Sequence, residues 1–226
     1  MLDNEKQLLG ATCSVGAAAP YSDQPDFQIT GCGTFISENE LVTCWHVLRM
    51  DNGQQVPDKL ILIKNQDGEY SRVERLIVDP DKDLAYIRLA SPIGKNHVSL
   101  HENGPSFDLK DKFQLLSCYK GKADIDHSLL KTAFTKKAKF KGTEKGGSYN
   151  VYLTTQNIRK GYSGSGVLAN GNICSVLSIK SLEFQGEVWA PTVSNFSDFV
   201  VRARKKAPLP VKKKSGLQNL LGLFKI

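Results

Sequence analysis

A serine, a histidine and an aspartate in this sequence have settings suited to acyl transfer. Segment 161–166 reads Gly-Tyr-Ser-Gly-Ser-Gly and places Ser163 just ahead of an apolar run at 167–169. Glycines let the backbone bend sharply and let a substrate carbonyl approach, and free amide groups in such a turn can face an oxyanion. Because glycine–serine turns are also common in ordinary loops, a nucleophilic Ser163 requires a base and an acid elsewhere.

The candidate base is His46, one of four histidines. It lies near the end of 41–48, predicted as a mostly buried strand that runs into a short helical turn, after a predicted strand at 33–37 and a turn at 38–40. A histidine in this position can be packed from behind and still present one ring nitrogen outward, as a general base requires. The alternative for an isolated histidine is a core residue bonded to the backbone.

The candidate acid is Asp83, which opens the apolar run 84–87. The nearby Asp79 and Asp81 flank a proline and are typical of a turn. A buried carboxylate at Asp83 would fix the tautomer of the histidine and stabilise the imidazolium. The alternative is a turn residue at the start of a strand.

The three settings and their order together resemble the trypsin/chymotrypsin-like serine peptidases, closest in pattern to the bacterial HtrA-type catalytic domain. Segments 43–47 (Thr-Cys-Trp-His-Val) and 83–86 (Asp-Leu-Ala-Tyr) are similar to the family's histidine and aspartate motifs. Segment 161–166 is similar to its Gly-x-Ser-Gly-Gly-Pro turn, and segment 186–191 to a strand near the end of HtrA-type domains. The order histidine, aspartate, serine also matches that of chymotrypsin. The chain departs from the pattern at four positions: Cys44 and Trp45 stand where the family has two small residues, and Ser165 and Gly166 replace the second glycine and the proline of its turn.

The resemblance implies that His46, Asp83 and Ser163 are catalytic and that the amides of Gly161 and Ser163 form an oxyanion hole. By the same resemblance, four residues would line the primary specificity pocket: Asn157, Lys160, Ser178 and Lys180. Since the pocket would lack an acid and would have cations nearby, we expect a polar or acidic substrate residue rather than Lys or Arg.

The implied fold is all-β, with two six-stranded antiparallel β-barrels of the trypsin-like type and a C-terminal helix. One peptidase domain would cover residues 1–204, with barrels at about 1–100 and 105–195 and a closing helix at about 195–205. Short apolar runs separated by turn signals agree with this fold. The pair Asn170-Gly171 predicts a hairpin directly after the nucleophile turn.

Length and composition agree with a single catalytic unit. The chain has 226 residues, a size at which all-β folds often form one domain. We find no run of the ~20 apolar residues that a membrane span needs and no secretory signal at the N-terminus.

The five cysteines form an odd set without metal-type spacing, which argues against a disulfide framework and a zinc site. The sequence therefore predicts reduced, mostly buried thiols, a cytoplasmic location, and neither cofactor nor metal.

The net charge of +7 raises the question of partners. Much of the excess lies at 131–145 and 202–214, where we find no nucleic-acid-binding motif, so nucleic acid is disfavoured. The tail, 205–226, joins a basic run to a short apolar segment. It could dock on a regulatory protein, contact an anionic membrane surface, pack back on the domain or remain a disordered terminus.

The sequence predicts an intracellular serine endopeptidase that acts on protein or peptide substrates through an acyl-enzyme and is regulated by a partner protein. The alternative is a catalytically silent or gated binding or adaptor module on a peptidase fold, since fold does not guarantee function.

Overall fold

A computed structural model gives the fold. It describes residues 3–18, 27–50, 53–101, 112–120, 125–139, 149–154, 161–178, 187–191 and 193–206. Within these ranges the protein is mostly β, with a helix near each end.

The first half of the chain forms a closed antiparallel barrel. Helix α1 (Asp3–Gly10) leads into six strands: β1 (Thr12–Ala18), β2 (Phe27–Ser37), β3 (Glu40–Thr43), β4 (Ile61–Lys64), β5 (Tyr70–Asp79) and β6 (Leu84–Leu89). Their order around the barrel is β1-β2-β3-β6-β5-β4, and pairing of β1 with β4 closes it. The prediction of an N-terminal six-stranded barrel is confirmed. Helix α1 was not predicted, so the all-β expectation is corrected to mostly β.

The second half contributes a six-stranded antiparallel sheet and a C-terminal helix. The strands are β7 (Lys112–Lys120), β8 (Ile125–Lys139), β9 (Tyr149–Thr154), β10 (Gly166–Ala169), β11 (Asn172–Val176) and β12 (Glu187–Pro191). Their order is β11-β10-β7-β8-β9-β12. The strand pairings among the described residues do not close this sheet, so the second barrel stays a prediction.

Helix α2 (Val193–Lys206) packs its apolar face on the core. Phe196, Phe199 and Val200 are at most 4% exposed, which confirms the predicted helical face. The core they join is continuous, because it also contains residues of the barrel and of strands β7, β10 and β11. The second sheet meets the barrel where β7 contacts β1 and β2.

Two residues with positive φ form the turn between β10 and β11. Asn170 has φ 51° and Gly171 has φ 79°, the pair of values that a two-residue type I′ hairpin requires. The predicted hairpin is therefore confirmed, and the Ser163 turn directly precedes its first strand, β10.

The cysteines described here are buried thiols. Cys13, Cys32, Cys44 and Cys174 are free thiols and buried, which confirms the predicted burial for these four residues, while the side chain of Cys118 lies outside the described part. Burial raises the pKa of Cys174 to about 12, so that thiol remains protonated at neutral pH.

Neither described helix has the length and apolar composition needed to cross a lipid bilayer.

Candidate active site

His46 and Asp83 form a directly bonded pair. His46 lies in a short 3-10 turn, Trp45–Leu48, that follows β3, so the histidine is just beyond the strand and not in it. Asp83 immediately precedes β6, the strand paired with β3. The Nδ1 atom of His46 is 2.7 Å from Oδ2 of Asp83, and the backbone amide of His46 donates to Oδ1 at 3.0 Å. The pairing of β3 with β6 thus brings His46 and Asp83, the candidate base and acid, together.

The carboxylate of Asp83 has a second side-chain partner, Ser178. The hydroxyl of Ser178 donates to Oδ2 at 2.5 Å, and the Asp83 side chain is only 4% exposed. The backbone of Asp83 has φ 56°, an uncommon value that aspartate tolerates better than most residues. The amide of Trp45 donates to the Asp83 carbonyl at 3.2 Å. Side chain and backbone of Asp83 are therefore both fixed relative to His46.

Ser163 lies in a sharply bent turn ahead of β10. Gly161 and Gly164 on either side have φ 108° and 88°, values that favour glycine. The amide of Gly164 donates to the Leu177 carbonyl at 2.8 Å, and the amide of Leu177 donates to the Ser165 carbonyl at 2.8 Å. The turn is thus anchored to the segment after β11, one residue before Ser178.

The same turn is anchored to the barrel through strand β2. The amide of Cys32 donates to the Ser163 carbonyl at 2.8 Å, while Thr43 Oγ1 donates to the Cys32 carbonyl at 2.6 Å. A Cβ atom on Gly31 would lie 2.7 Å from both the Ser163 carbonyl oxygen and a methyl group of Val47. Because Val47 follows the histidine, Ser163 and the histidine turn lie against the same short stretch of β2.

Gly164 makes the close approach of turn and barrel possible. A Cβ atom at this position would collide with the carbonyl oxygen of Cys32 and with Oγ1 of Thr43. The space that glycine leaves is thus filled by the hydrogen-bonded pair that fixes β2 to β3.

Three departures from the family pattern have distinct surroundings. The thiol of Cys44 is buried and donates to the Leu177 carbonyl at 2.9 Å. Trp45 is half-buried, with the Arg49 guanidinium 4.6 Å from its ring centroid. Ser165 is fully buried, and its Oγ atom has no hydrogen-bond partner among the described residues.

The described residues bring together only part of the predicted site. His46 and Asp83 are in contact, and Ser163 and Gly161 lie in the turn held against their barrel. Three predicted pocket residues lie outside the described residues: Asn157, Lys160 and Lys180. The fourth, Ser178, is 4% exposed and bonded to Asp83, a contact that sequence reasoning missed together with those of Thr43, Cys32 and Cys44.

A second polar cluster lies at the opposite end of β3. Tyr86 Oη donates to Glu40 Oε1 at 2.5 Å, and Arg204 donates to Oε2 from Nη2 at 2.7 Å and Nε at 3.0 Å. Burial by itself would raise the pKa of Glu40, but the hydrogen bonds from Tyr86 and Arg204 and the charge of Arg204 outweigh it and lower that pKa. Burial, together with the bond to Glu40, raises the pKa of Tyr86 to about 12. The cluster therefore ties α2 to the barrel through an ionised carboxylate.

The family of the chain follows from its match to a family model. Residues 31–174 match the model of the trypsin-like peptidase domain, which is more than half of the chain, and the chain belongs to this family. The class that fold and family define is the trypsin-like serine peptidases. The resemblance inferred from the motifs, and the prediction of a serine endopeptidase of this class, are confirmed.

Solved structures of one protease are similar to this chain. The active form of the Rv3671c protease from M. tuberculosis has a TM-score of 0.66 at 13% identity, over 88% of this chain and 83% of that one. A serine-to-alanine mutant of Rv3671c in its inactive form has a TM-score of 0.64 at 12% identity, over 92% and 93%. Another inactive form has a TM-score of 0.63 at 12% identity, over 88% and 91%. At these identities the likeness concerns the fold alone. No curated protein matches this chain.

Proposed function

We propose that this protein hydrolyses peptide bonds of protein or peptide substrates with a triad of His46, Asp83 and Ser163. The observation that carries the proposal is the 2.7 Å contact between Nδ1 of His46 and Oδ2 of Asp83. An ionised carboxylate can only accept hydrogen bonds, so Nδ1 carries the ring proton. The other nitrogen, Nε2, is then unprotonated and available as a base.

In the proposed mechanism, Ser163 Oγ attacks the substrate carbonyl while His46 Nε2 takes its proton. The amides of Gly161 and Ser163 donate to the resulting oxyanion. His46 then gives the proton to the leaving amine, and an acyl-enzyme forms on Ser163. Water, deprotonated by His46, hydrolyses the acyl-enzyme and restores the serine.

The packing of the turn supports the role of Ser163. The amide of Cys32 donates to the Ser163 carbonyl at 2.8 Å, and Ser163 is 6% exposed. Ser165 lies in the same turn but is fully buried, which makes it a poor nucleophile for an external substrate. Ser163 is therefore the candidate nucleophile, and Ser165 serves as the control serine in the same turn.

Location, regulation and specificity complete the proposal. Reduced buried thiols support a cytoplasmic location, because disulfides are rare there. Regulation by a protein partner through the basic and apolar tail 205–226, or a weaker contact of this tail with an anionic membrane surface, is proposed from the sequence. Asn157, Lys160 and Lys180 would favour a polar or acidic substrate residue.

The test compares the two serines of the turn. A peptide library and labelled casein would be incubated with the wild type, Ser163→Ala and Ser165→Ala. We expect Ser163→Ala to lower kcat by roughly 10⁴-fold or more and Ser165→Ala to retain cleavage. Equal cleavage by the wild type and Ser163→Ala would overturn the triad. Failure of the folded wild type to cleave any peptide would support the silent adaptor module.

A further inference from the structure

Next to the histidine lies a set of potential metal ligands. The thiol of Cys44, the His46 ring and the carboxylate of Asp83 each offer one ligand atom, and these atoms lie within 4.8 Å of one another. Thiolate, imidazole and carboxylate are the groups that bind Zn²⁺ in proteins. Sequence spacing does not indicate this set, because Asp83 lies 37 residues from His46 and joins it only through the pairing of β3 with β6.

We propose that Cys44, His46 and Asp83 form a binding site for a soft divalent cation, with Zn²⁺ the preferred ion, and that occupation of this site switches off the base. The binding itself stands on the geometry alone. The inhibition rests on the proposed peptidase function.

Small movements suffice to form the site. With Zn²⁺ bonds of about 2.0 to 2.3 Å, tetrahedral ligand atoms stand roughly 3.3 to 3.8 Å apart. The distance from Nδ1 to Oδ2, now 2.7 Å, would lengthen by less than about 1 Å, and the Cys44 thiol would move closer to both atoms. The His46 side chain is 27% exposed and that of Asp83 only 4%, so the ion enters past the histidine ring. Ser178 keeps its bond to the carboxylate and orients it, as partners of metal ligands generally do.

The charges of the bound state suit a buried site. Binding of Zn²⁺ releases one proton to solvent, that of the Cys44 thiol, which in the metal-free protein donates to the Leu177 carbonyl. The cation, the thiolate and the Asp83 carboxylate then sum to zero charge, which limits the cost of burial. Thiolate and imidazole select Zn²⁺ or Cd²⁺, whereas Mg²⁺ and Ca²⁺ prefer oxygen ligands.

Coordination would disable the histidine through its ring proton. A metal on Nδ1 displaces the proton that faces Asp83, and this proton moves to Nε2. Nε2 is the nitrogen that must accept the proton of Ser163, so attack is blocked while the ion is bound. Cys44 is the determinant, because the family motif has a small residue at this position and supplies no thiol.

Direct binding is measured without reference to catalysis. Co²⁺, which takes tetrahedral zinc sites and absorbs when bound to thiolate, would be titrated into the full chain carrying Ser163→Ala, and Zn²⁺ would then displace it. Adding Cys44→Ala or Cys44→Ser should weaken metal affinity at least about tenfold. The matched control Cys174→Ala removes a buried thiol that donates to Val167 at 3.2 Å, and it should leave the affinity unchanged. If folded protein shows no Cys44-dependent Co²⁺ absorption, the site does not exist.

Inhibition is measured on protein that retains Ser163. Cleavage would be followed in increasing Zn²⁺, with Mg²⁺ for comparison and a chelator to reverse the effect, and each variant would be scaled to its own metal-free rate. Half-inhibition of Cys44→Ser should need at least about tenfold more Zn²⁺ than the wild type. Unchanged zinc sensitivity in Cys44→Ser would overturn inhibition through this site. If the wild type binds Co²⁺ through Cys44 but cleaves nothing, the proposed function fails and the metal site stands.

Discussion

The hydroxyl of Ser178 lies 2.5 Å from Oδ2 of Asp83, the same oxygen that lies 2.7 Å from Nδ1 of His46. Ser178 follows strand β11 of the second sheet, whereas the other two residues belong to the barrel. The second sheet therefore supplies a donor to the acid as well as the turn that carries Ser163. One segment, 177–178, serves both, because Leu177 bonds Gly164 and Ser165.

The contact predicts that Ser178 positions the acid. A hydrogen bond to a charged group contributes about 1.5 to 3 kcal/mol, so Ser178→Ala should lower kcat about ten- to a hundredfold and leave KM nearly unchanged. Ser178→Thr, which keeps a hydroxyl, should restore part of the rate. Steady-state kinetics on a cleaved peptide would measure both constants. A rise in KM with kcat unchanged would instead favour the pocket-lining role that the resemblance implied.

A side chain at position 164 should collide with the barrel, and the cost of this collision can be measured apart from the strain of a positive φ. Gly164 and Gly68 have similar φ values of 88° and 83°, but a Cβ atom on Gly68 would meet only the end of the Lys64 side chain, 3.9 Å away. Gly68→Ala should therefore cost about 1 kcal/mol of unfolding free energy. Gly164→Ala should cost at least about 2 kcal/mol more, since overpacking adds to the strain, and should lose cleavage activity. Denaturant unfolding of both variants gives the comparison, and equal losses would show that the turn is not tightly docked on Cys32 and Thr43.

The buried hydroxyl of Ser165 predicts a stabilising substitution. An unsatisfied buried polar group costs about 1 to 3 kcal/mol, so Ser165→Ala should raise the unfolding free energy by about 1 kcal/mol. Ser175→Ala, a change of the same size at a buried serine of strand β11 that has a bonding partner, should not stabilise the protein. Thermal and denaturant unfolding would measure both. A loss of stability in Ser165→Ala would mean that the hydroxyl is satisfied.

Glu40 predicts a pH dependence of stability. Its pKa in the folded protein lies below the ordinary value of 4.5, so at falling pH the unfolded chain takes up this proton first. Glu40 therefore stabilises the fold fully above about pH 4.5, and this contribution is lost as the pH falls through the lowered pKa. Unfolding free energies at pH 7 and pH 3 should show that Glu40→Gln loses less stability on acidification than the wild type. Glu74→Gln, at an exposed carboxyl of β5, is the control, and parallel losses in Glu40→Gln and the wild type would contradict the prediction.

Local sequence signals predicted much of the barrel and the local settings of His46 and Asp83. The Asn170-Gly171 pair sets its own backbone geometry, and the contrast of Asp83 with the apolar run after it marks the start of β6. The strand before His46 was expected to continue into a short helical turn within 41–48, and it ends at Thr43, with the turn at Trp45–Leu48. The sequence does not mark this boundary, because mostly apolar residues fill both the strand and the turn.

The supporting contacts could not be predicted because they join residues far apart in the chain. Ser178 and Asp83 are separated by 95 residues, and Cys44 and Leu177 by 133. A single serine or cysteine carries no signal for such a partner, and only the docking of the second sheet on the barrel specifies it. Helix α1 was missed because its eight residues give too short a periodic pattern.

The central claim is that Ser163 is a nucleophile activated by His46 and Asp83. The most direct measurement is labelling of the full chain with a fluorophosphonate, followed by mass spectrometry of the modified peptide. We expect one adduct, on Ser163, that is retained in Ser165→Ala and lost in His46→Ala. Folded wild-type protein that stays unlabelled, or an adduct on another serine that persists in His46→Ala, would contradict the claim.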